Sequence, residues 1–202
     1  MAKVVHVIGN GDSCDFYNKK PRQGLKLTCN IAPFSVPGAY AACIVDFKMM
    51  RSLTKGEIDV PGEWILGYRP KIWMSQNPNF YMKRAAQIKE FFTEKPDYVK
   101  NYTDFNCGHM ATYYAIKRLK ADEINLYGFD SIFDMNLRSS SDFYQNSSRD
   151  ANNNVRLNGN WRPIWYNMFN EFENINFKLH HFHKDIKFSI KENVEIISYG
   201  KK

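Results

Sequence analysis

The stretch VVHVIG, Val4 to Gly9, constrains this chain more than any other. It is short, β-branched and ended by glycine, so it predicts a strand buried on both faces. Such strands belong to sheets covered on two sides, which means helical crossovers and parallel neighbours. The next residues, Gly-Asn-Gly-Asp-Ser (Gly9 to Ser13), break the run at once. Asn-Gly and Asp are ordinary turn formers. Glycine also lets backbone approach a ligand closely, and successive N–H groups cradle an anion. Both readings stand at this point. The segment is neither GxGxxG nor a Walker loop, since no GK[ST] follows.

Further segments extend the pattern. LKLTCN (Leu25 to Asn30) and AACIVDF (Ala41 to Phe47) read as the second and third strands, and KIWM (Lys71 to Met74) as a short fourth. Phe80, Ala85, Ile88 and Phe92 approximate a helical face, predicting a helix from Asn79 to about Thr93 that Pro96 stops. CGHMATYYAIKRLKADEINLYGFD predicts a helix over about Gly108 to Lys120, a turn, and the strand INLYGFD. A helix followed by a buried strand, after several buried strands, makes the fold α/β with a mainly parallel sheet flanked by helices. Residues 131–160 are rich in Ser, Asn and Arg and are expected to form a lid or mobile loop. A helix from about Trp161 to Phe172 follows, with Pro163 in its first turn. INFKLHHF, IKFSI and VEIISYG supply two or three strands at the C-terminal edge. At 202 residues the chain is expected to be one domain.

Composition narrows the partners. The net charge of +7 favours anionic ones, nucleotides or nucleic acid among them, without a dense Lys/Arg run or an RNA-binding motif. No apolar run is long enough to span a membrane, and no basic-then-apolar leader opens the chain, so a cytoplasmic location is expected. Cys14, Cys29, Cys43 and Cys107 lack zinc spacing. His6 reads as a core histidine. His180, His181 and His183 lack a carboxylate partner in sequence, so no metal site is assigned.

Ligands of open α/β sheets bind beyond the C-terminal strand ends. The residues at those exits are Gly9 to Ser13, Thr28 and Asn30, Asp46, and Gly128 with Asp130. Asn10 suits a phosphate or sugar. NCGH (Asn106 to His109) opens a helix, where anions are favoured. Cys107 there is either a nucleophile or a small pocket-lining residue. Arg138, Arg149, Arg156 and Arg162 carry forks suited to phosphate. Tyr144, Trp161, Trp165 and Tyr166 suit stacking on a base or sugar, or plain packing.

VIGNGDS, TCN, CIVDF and CGHMATYYAIKRLKADEINLYGFD resemble, in order and rough spacing, the bacterial sialyltransferases that use CMP-sialic acid. They are also similar to the MptE-like proteins, which open with Gly-Asn-Gly-Pro-Ser. The likeness runs over about Val4 to Asp130 and implies a single Rossmann-like domain with a lid after the Gly-x-Asp strand. It implies a nucleotide-donor role for Gly9, Asn10, Gly11 and Ser13, and donor contacts for Asn30, Asp46, Asn106, Cys107, Gly108 and Gly128. Tyr144 stands for a lid tyrosine. Asp12 replaces the family's proline, and NNVRLNGNWRP carries no counterpart of the family's catalytic histidine.

The expected function is therefore transfer of a sugar from a nucleotide-sugar to an acceptor hydroxyl, glycan or nucleic acid, with no further cofactor. Asp130, Asp46 and Asp12 are the candidate general bases. Arg156 and Arg162 are the candidates for stabilising the leaving phosphate. Two other readings are a magnesium-dependent diphosphokinase, with those aspartates on the metal, and a non-catalytic nucleotide- or nucleic-acid-binding module.

Overall fold

The computed structural model describes residues 2–19, 22–32, 35–133, 159–182 and 191–199. Eight strands form one sheet: β1 (Val4–Ile8), β2 (Leu25–Cys29), β3 (Ala41–Ile44), β4 (Trp64–Leu66), β5 (Ile88–Phe91), β6 (Glu123–Tyr127), β7 (Asn176–His181) and β8 (Val194–Ser198). Their order is β5-β4-β3-β2-β1-β6-β7-β8, and every neighbouring pair is parallel. The expected α/β, Rossmann-like architecture is what the chain adopts, with β7 and β8 closing one side.

Helices cover both faces, which is why the strands read as continuous apolar runs. The helices are α1 (Asp15–Lys19), α2 (Phe47–Lys55), α3 (Tyr68–Gln76), α4 (Pro78–Arg84), α5 (Cys107–Lys117) and α6 (Trp161–Glu171). On one face Val5, Val7, Leu27, Cys43 and Leu126 pack with residues of α5 and α6 such as Ala111, Ala115, Trp165 and Met168. On the other, Ala42, Ile44, Trp64 and Leu66 pack with Met49, Met50 and Leu53 of α2 and Met74 of α3. Ile8, Cys14, Tyr17 and Tyr127 make a smaller cluster beside α1. No helix among the described residues is long and apolar enough to cross a membrane.

The strands run outward from β1 to β5 on one side and from β6 to β8 on the other. The order therefore reverses between β1 and β6, and the loops leaving these two strands meet at a topological switch point.

Three sequence expectations are corrected. Lys71 to Met74 lies inside α3, and the fourth strand is instead Trp64–Leu66, each residue fully buried. A four-residue apolar run has no period of its own, and Pro70 fits the first helical turn, where its missing N–H has no partner to lose. The helix expected over Asn79 to Thr93 stops at Arg84, and Ile88–Phe91 pairs with β4 as the edge strand β5. Ile88 and Phe92 match a helical spacing but serve opposite faces of the sheet, so tertiary pairing outweighs the local pattern.

The third correction is α2, absent from the sequence reading. It starts after Asp46 and ends at Gly56, whose φ of 73° is the left-handed helix stop. Of the segments expected beyond these, IKFSI (186–190) and most of the proposed lid (134–158) lie outside the described residues.

Candidate functional site

The β1 and β6 exits are tied together by their own backbone. Gly9 N–H donates to the Tyr127 carbonyl at 2.7 Å, and Gly11 N–H to the Gly128 carbonyl at 2.9 Å. Asp130 Oδ2 accepts from both the N–H and the hydroxyl of Ser13, each at 2.9 Å. Ser13 Oγ in turn accepts from Gly128 N–H at 3.0 Å. Ser13 is fully buried and Asp130 is 2% exposed.

This clasp explains the glycines. A Cβ at Gly11 would stand 2.3 Å from Asp130 Oδ2, and one at Gly9 would stand 2.7 Å from the Gly128 carbonyl. At Gly108, in the first turn of α5, it would stand 2.1 Å from the Phe129 ring. The three glycines make room for the β6 loop, a demand that exists without any ligand. Gly128 itself has φ 76°, where side chains are strained.

Beyond the clasp are the exits of β2 and β3. Asn10, 8% exposed, donates its Nδ2 to the Cys29 carbonyl at 2.7 Å. Its Oδ1 is buried with no hydrogen-bond partner among the described residues. Asn30 stands at φ 54°, and its Oδ1 accepts from the Cys107 thiol at 3.0 Å. The three positions for which the resemblance implies donor contacts at β1, β2 and α5 are thus linked by two stitches across strand ends.

The start of α5 is closed by a capping box. Asn106 Oδ1 accepts from His109 N–H at 2.9 Å, and Asn106 N–H donates to His109 Nδ1 at 3.3 Å. His109 Nε2 lies 3.1 Å from the Trp161 carbonyl, so the ring is neutral with its proton on Nε2, joining α5 to α6. Burial pushes its pKa down to about 3. The Cys107 thiol is pushed well up, chiefly by burial and then by Asp46 nearby, and this outweighs the helix terminus.

Further along, Asp46 occupies the N-cap position of α2, its side chain 42% exposed, with Arg69 Nη1 at 3.3 Å. The Arg69 guanidinium lies over the Phe47 ring, 4.8 Å from its centroid. Beside it an open recess of about 230 Å³ sits at the exits of β3, β4 and β5, lined by Val45, Gly67, Tyr68, Arg69, Glu94, Tyr102 and Met110 among others. Tyr68 and Tyr102 are stacked at its rim, centroids 4.3 Å apart and planes 15° apart.

Other candidates are dispersed. Asp12 is exposed on the turn Asp12–Cys14. Asp12, Asp46 and Asp130 do not form a metal-holding group, and none of three or more His, Cys, Asp or Glu exists among the described residues. Arg162 donates from Nη2 to the Phe133 carbonyl at 3.0 Å, pinning α6 to the β6 loop. Trp165 is core, packed on His109 and Phe129. Arg138, Tyr144, Arg149, Arg156 and His183 lie outside the described residues.

His6 is buried, with Nε2 2.8 Å from the Gln23 carbonyl. His180 bonds Asn125 Oδ1 at 2.9 Å and the Tyr199 hydroxyl at 3.0 Å.

Compared with the models of known families, with curated proteins and with solved structures, the chain matches none. Sequence reasoning missed Tyr68, Arg69 and Tyr102. The signal for the first two is Leu66-Gly67, a buried strand ending in glycine.

Proposed function

We propose that this chain is a nucleotide-sugar-dependent glycosyltransferase-type enzyme, with the nucleotide in the crevice over the exits of β1, β2 and β3. The observation that carries the reading is Asn10 Oδ1, a buried amide oxygen with no partner among the described residues. Leaving such an acceptor unsatisfied costs about 1–3 kcal/mol, which a donor on a ligand would recover. A ribose hydroxyl or a base amine has that donor. The amide cannot turn away without giving up its bond to Cys29.

The surroundings support the same class. The exits of β1, β2 and β3 lie beside the β1/β6 switch point of a doubly wound sheet, and folds of this kind hold nucleotides beyond their strand ends. The resemblance to sialyltransferases implies donor contacts at Asn10, Asn30, Asp46 and Cys107, which lie at the exits of β1, β2 and β3 and at the start of α5. Asp46 is the aspartate suited to a general base, being half-exposed at the crevice edge. Asp130 is engaged by Ser13, and Asp12 is exposed on the turn Asp12–Cys14.

The test is calorimetric binding of CMP, UDP, GDP and ADP and their sugar conjugates, followed by a transfer and hydrolysis assay. At least one nucleotide is expected to bind, with Asn10→Ala weakening it about tenfold or more and Asp46→Asn abolishing turnover while leaving binding intact. Silence across the whole panel, in binding and in turnover, would end the proposal.

A further inference from the structure

We infer that the recess beside Tyr68 and Arg69 is a saccharide subsite that takes the face of one uncharged pyranose ring. The inference rests on the transferase reading of the crevice, since a sugar is what such a crevice must hold beside its nucleotide.

The aromatic pair supplies the platform. Tyr102 covers one face of Tyr68 and is itself anchored by its hydroxyl, which donates to the Thr93 carbonyl at 2.9 Å. Tyr68 is nonetheless 41% exposed, so part of it stays open to solvent. Carbon-bound hydrogens on one side of a pyranose pack against such a face, and an exposed flat ring of this size is otherwise an unrewarded apolar surface.

Polar groups stand beside that platform in a ratio that suits hydroxyls. Arg69 is held in place by the Phe47 ring beneath it and by Asp46 at its side, where one N–H is engaged. Asp46 and Glu94 supply carboxylate oxygens that accept from hydroxyls. Glu94 is fixed in turn by Arg118. A planar guanidinium and a carboxylate side by side match vicinal hydroxyls, each of which donates and accepts. The open, shallow form fits a ring laid on a rim rather than a buried ligand.

The experiment is saturation-transfer NMR on the full chain with methyl glycosides of glucose, galactose, mannose and N-acetylglucosamine, run beside cytidine, uridine and adenosine. At least one glycoside is expected to bind. Tyr68→Ala and Arg69→Gln are each expected to weaken it about tenfold, and Tyr68→Trp to retain it. Nucleotide affinity should stay unchanged in all three variants, whose fold is checked by circular dichroism. No glycoside binding to the native chain, glycoside binding untouched in a folded Tyr68→Ala chain, or nucleosides displaced by that variant would each overturn the subsite. Glycosides bound at Tyr68 with no nucleotide bound anywhere would sink the transferase reading alone and leave the saccharide subsite standing.

Discussion

The Ser13 hydroxyl donates to Asp130 Oδ2 at 2.9 Å across 117 residues of sequence, and Ser13 N–H reaches the same oxygen. This pair, with Gly128 N–H on Ser13 Oγ, holds the two loops of the switch point in one position. It gives Asp130 a structural task distinct from proton transfer. Asp130→Ala would strand two buried donors at a cost of about 3 kcal/mol, or about 6 to 12 °C in Tm for a domain of this size. Thermal unfolding of Asp130→Ala, Ser13→Ala and the double variant checks it, and the double should lose clearly less than the sum. An Asp130→Ala chain as stable as the native one, with turnover gone, would return the residue to the list of general bases.

Gly108 and Phe129 form the second pair. With a Cβ at Gly108 placed 2.1 Å from the Phe129 ring, and that ring held edge-on by Trp165 at 5.3 Å, neither side yields cheaply. Gly108→Ala should destabilise by about 1–3 kcal/mol in the native background and by much less in Phe129→Ala. Denaturant unfolding of the four members of the cycle measures this. If Gly108 serves only ligand approach, the alanine variant will keep its stability and lose nucleotide binding, and the packing account fails.

These two pairs mark what the sequence could and could not tell. The strand exits were legible because an α/β sheet must gather them at one edge, and VVHVIG and INLYGFD name two of them directly. Which loops touch was not legible, since Ser13 and Asp130 are partners through topology alone. The glycines of GNGDS suggested phosphate on conformational grounds, yet their neighbours are Gly128 and Asp130. The three-residue β4 was hidden by its brevity, and with it Tyr68 and Arg69. The edge strand β5 was hidden because Ile88 and Phe92 happen to satisfy a helical spacing while pairing as strand.

The four cysteines, all free, give a third prediction. Burial, and then the Asp130, Asp15 and Asp12 carboxylates, push Cys14 up to about 12. Cys29, Cys43 and Cys107 are raised well above the usual thiol range, again chiefly by burial. At pH 8 the thiolate fraction of Cys14 is about one in ten thousand, and thiolate is the reactive form. A disulfide reagent such as DTNB should therefore find no fast thiol in the folded chain and four after unfolding. Rapid stoichiometric labelling of Cys107 in the native chain would revive it as a nucleophile.

His109 sets the pH dependence. Its Nδ1 accepts from Asn106 N–H and its Nε2–H donates to Trp161, so a second proton would break the cap as well as charge a fully buried ring. With a folded pKa of about 3 against about 6.5 in the unfolded chain, only the unfolded state takes up a proton between those values. The stability is complete above pH 6.5 and drains away as pH falls toward 3, by about 2 kcal/mol from this one residue at pH 5. His180, also pushed down to about 3, and His6, shifted the same way by burial, add to the slope. Urea unfolding at pH 7.5, 6 and 5 should show this loss in the native chain. His109→Gln, which keeps polar atoms at the site without a titrating ring, should start less stable and lose about 2 kcal/mol less over the same interval. Parallel pH profiles for the two chains would mean that His109 is free to charge in the folded state, and the neutral bridge between α5 and α6 would have to be abandoned.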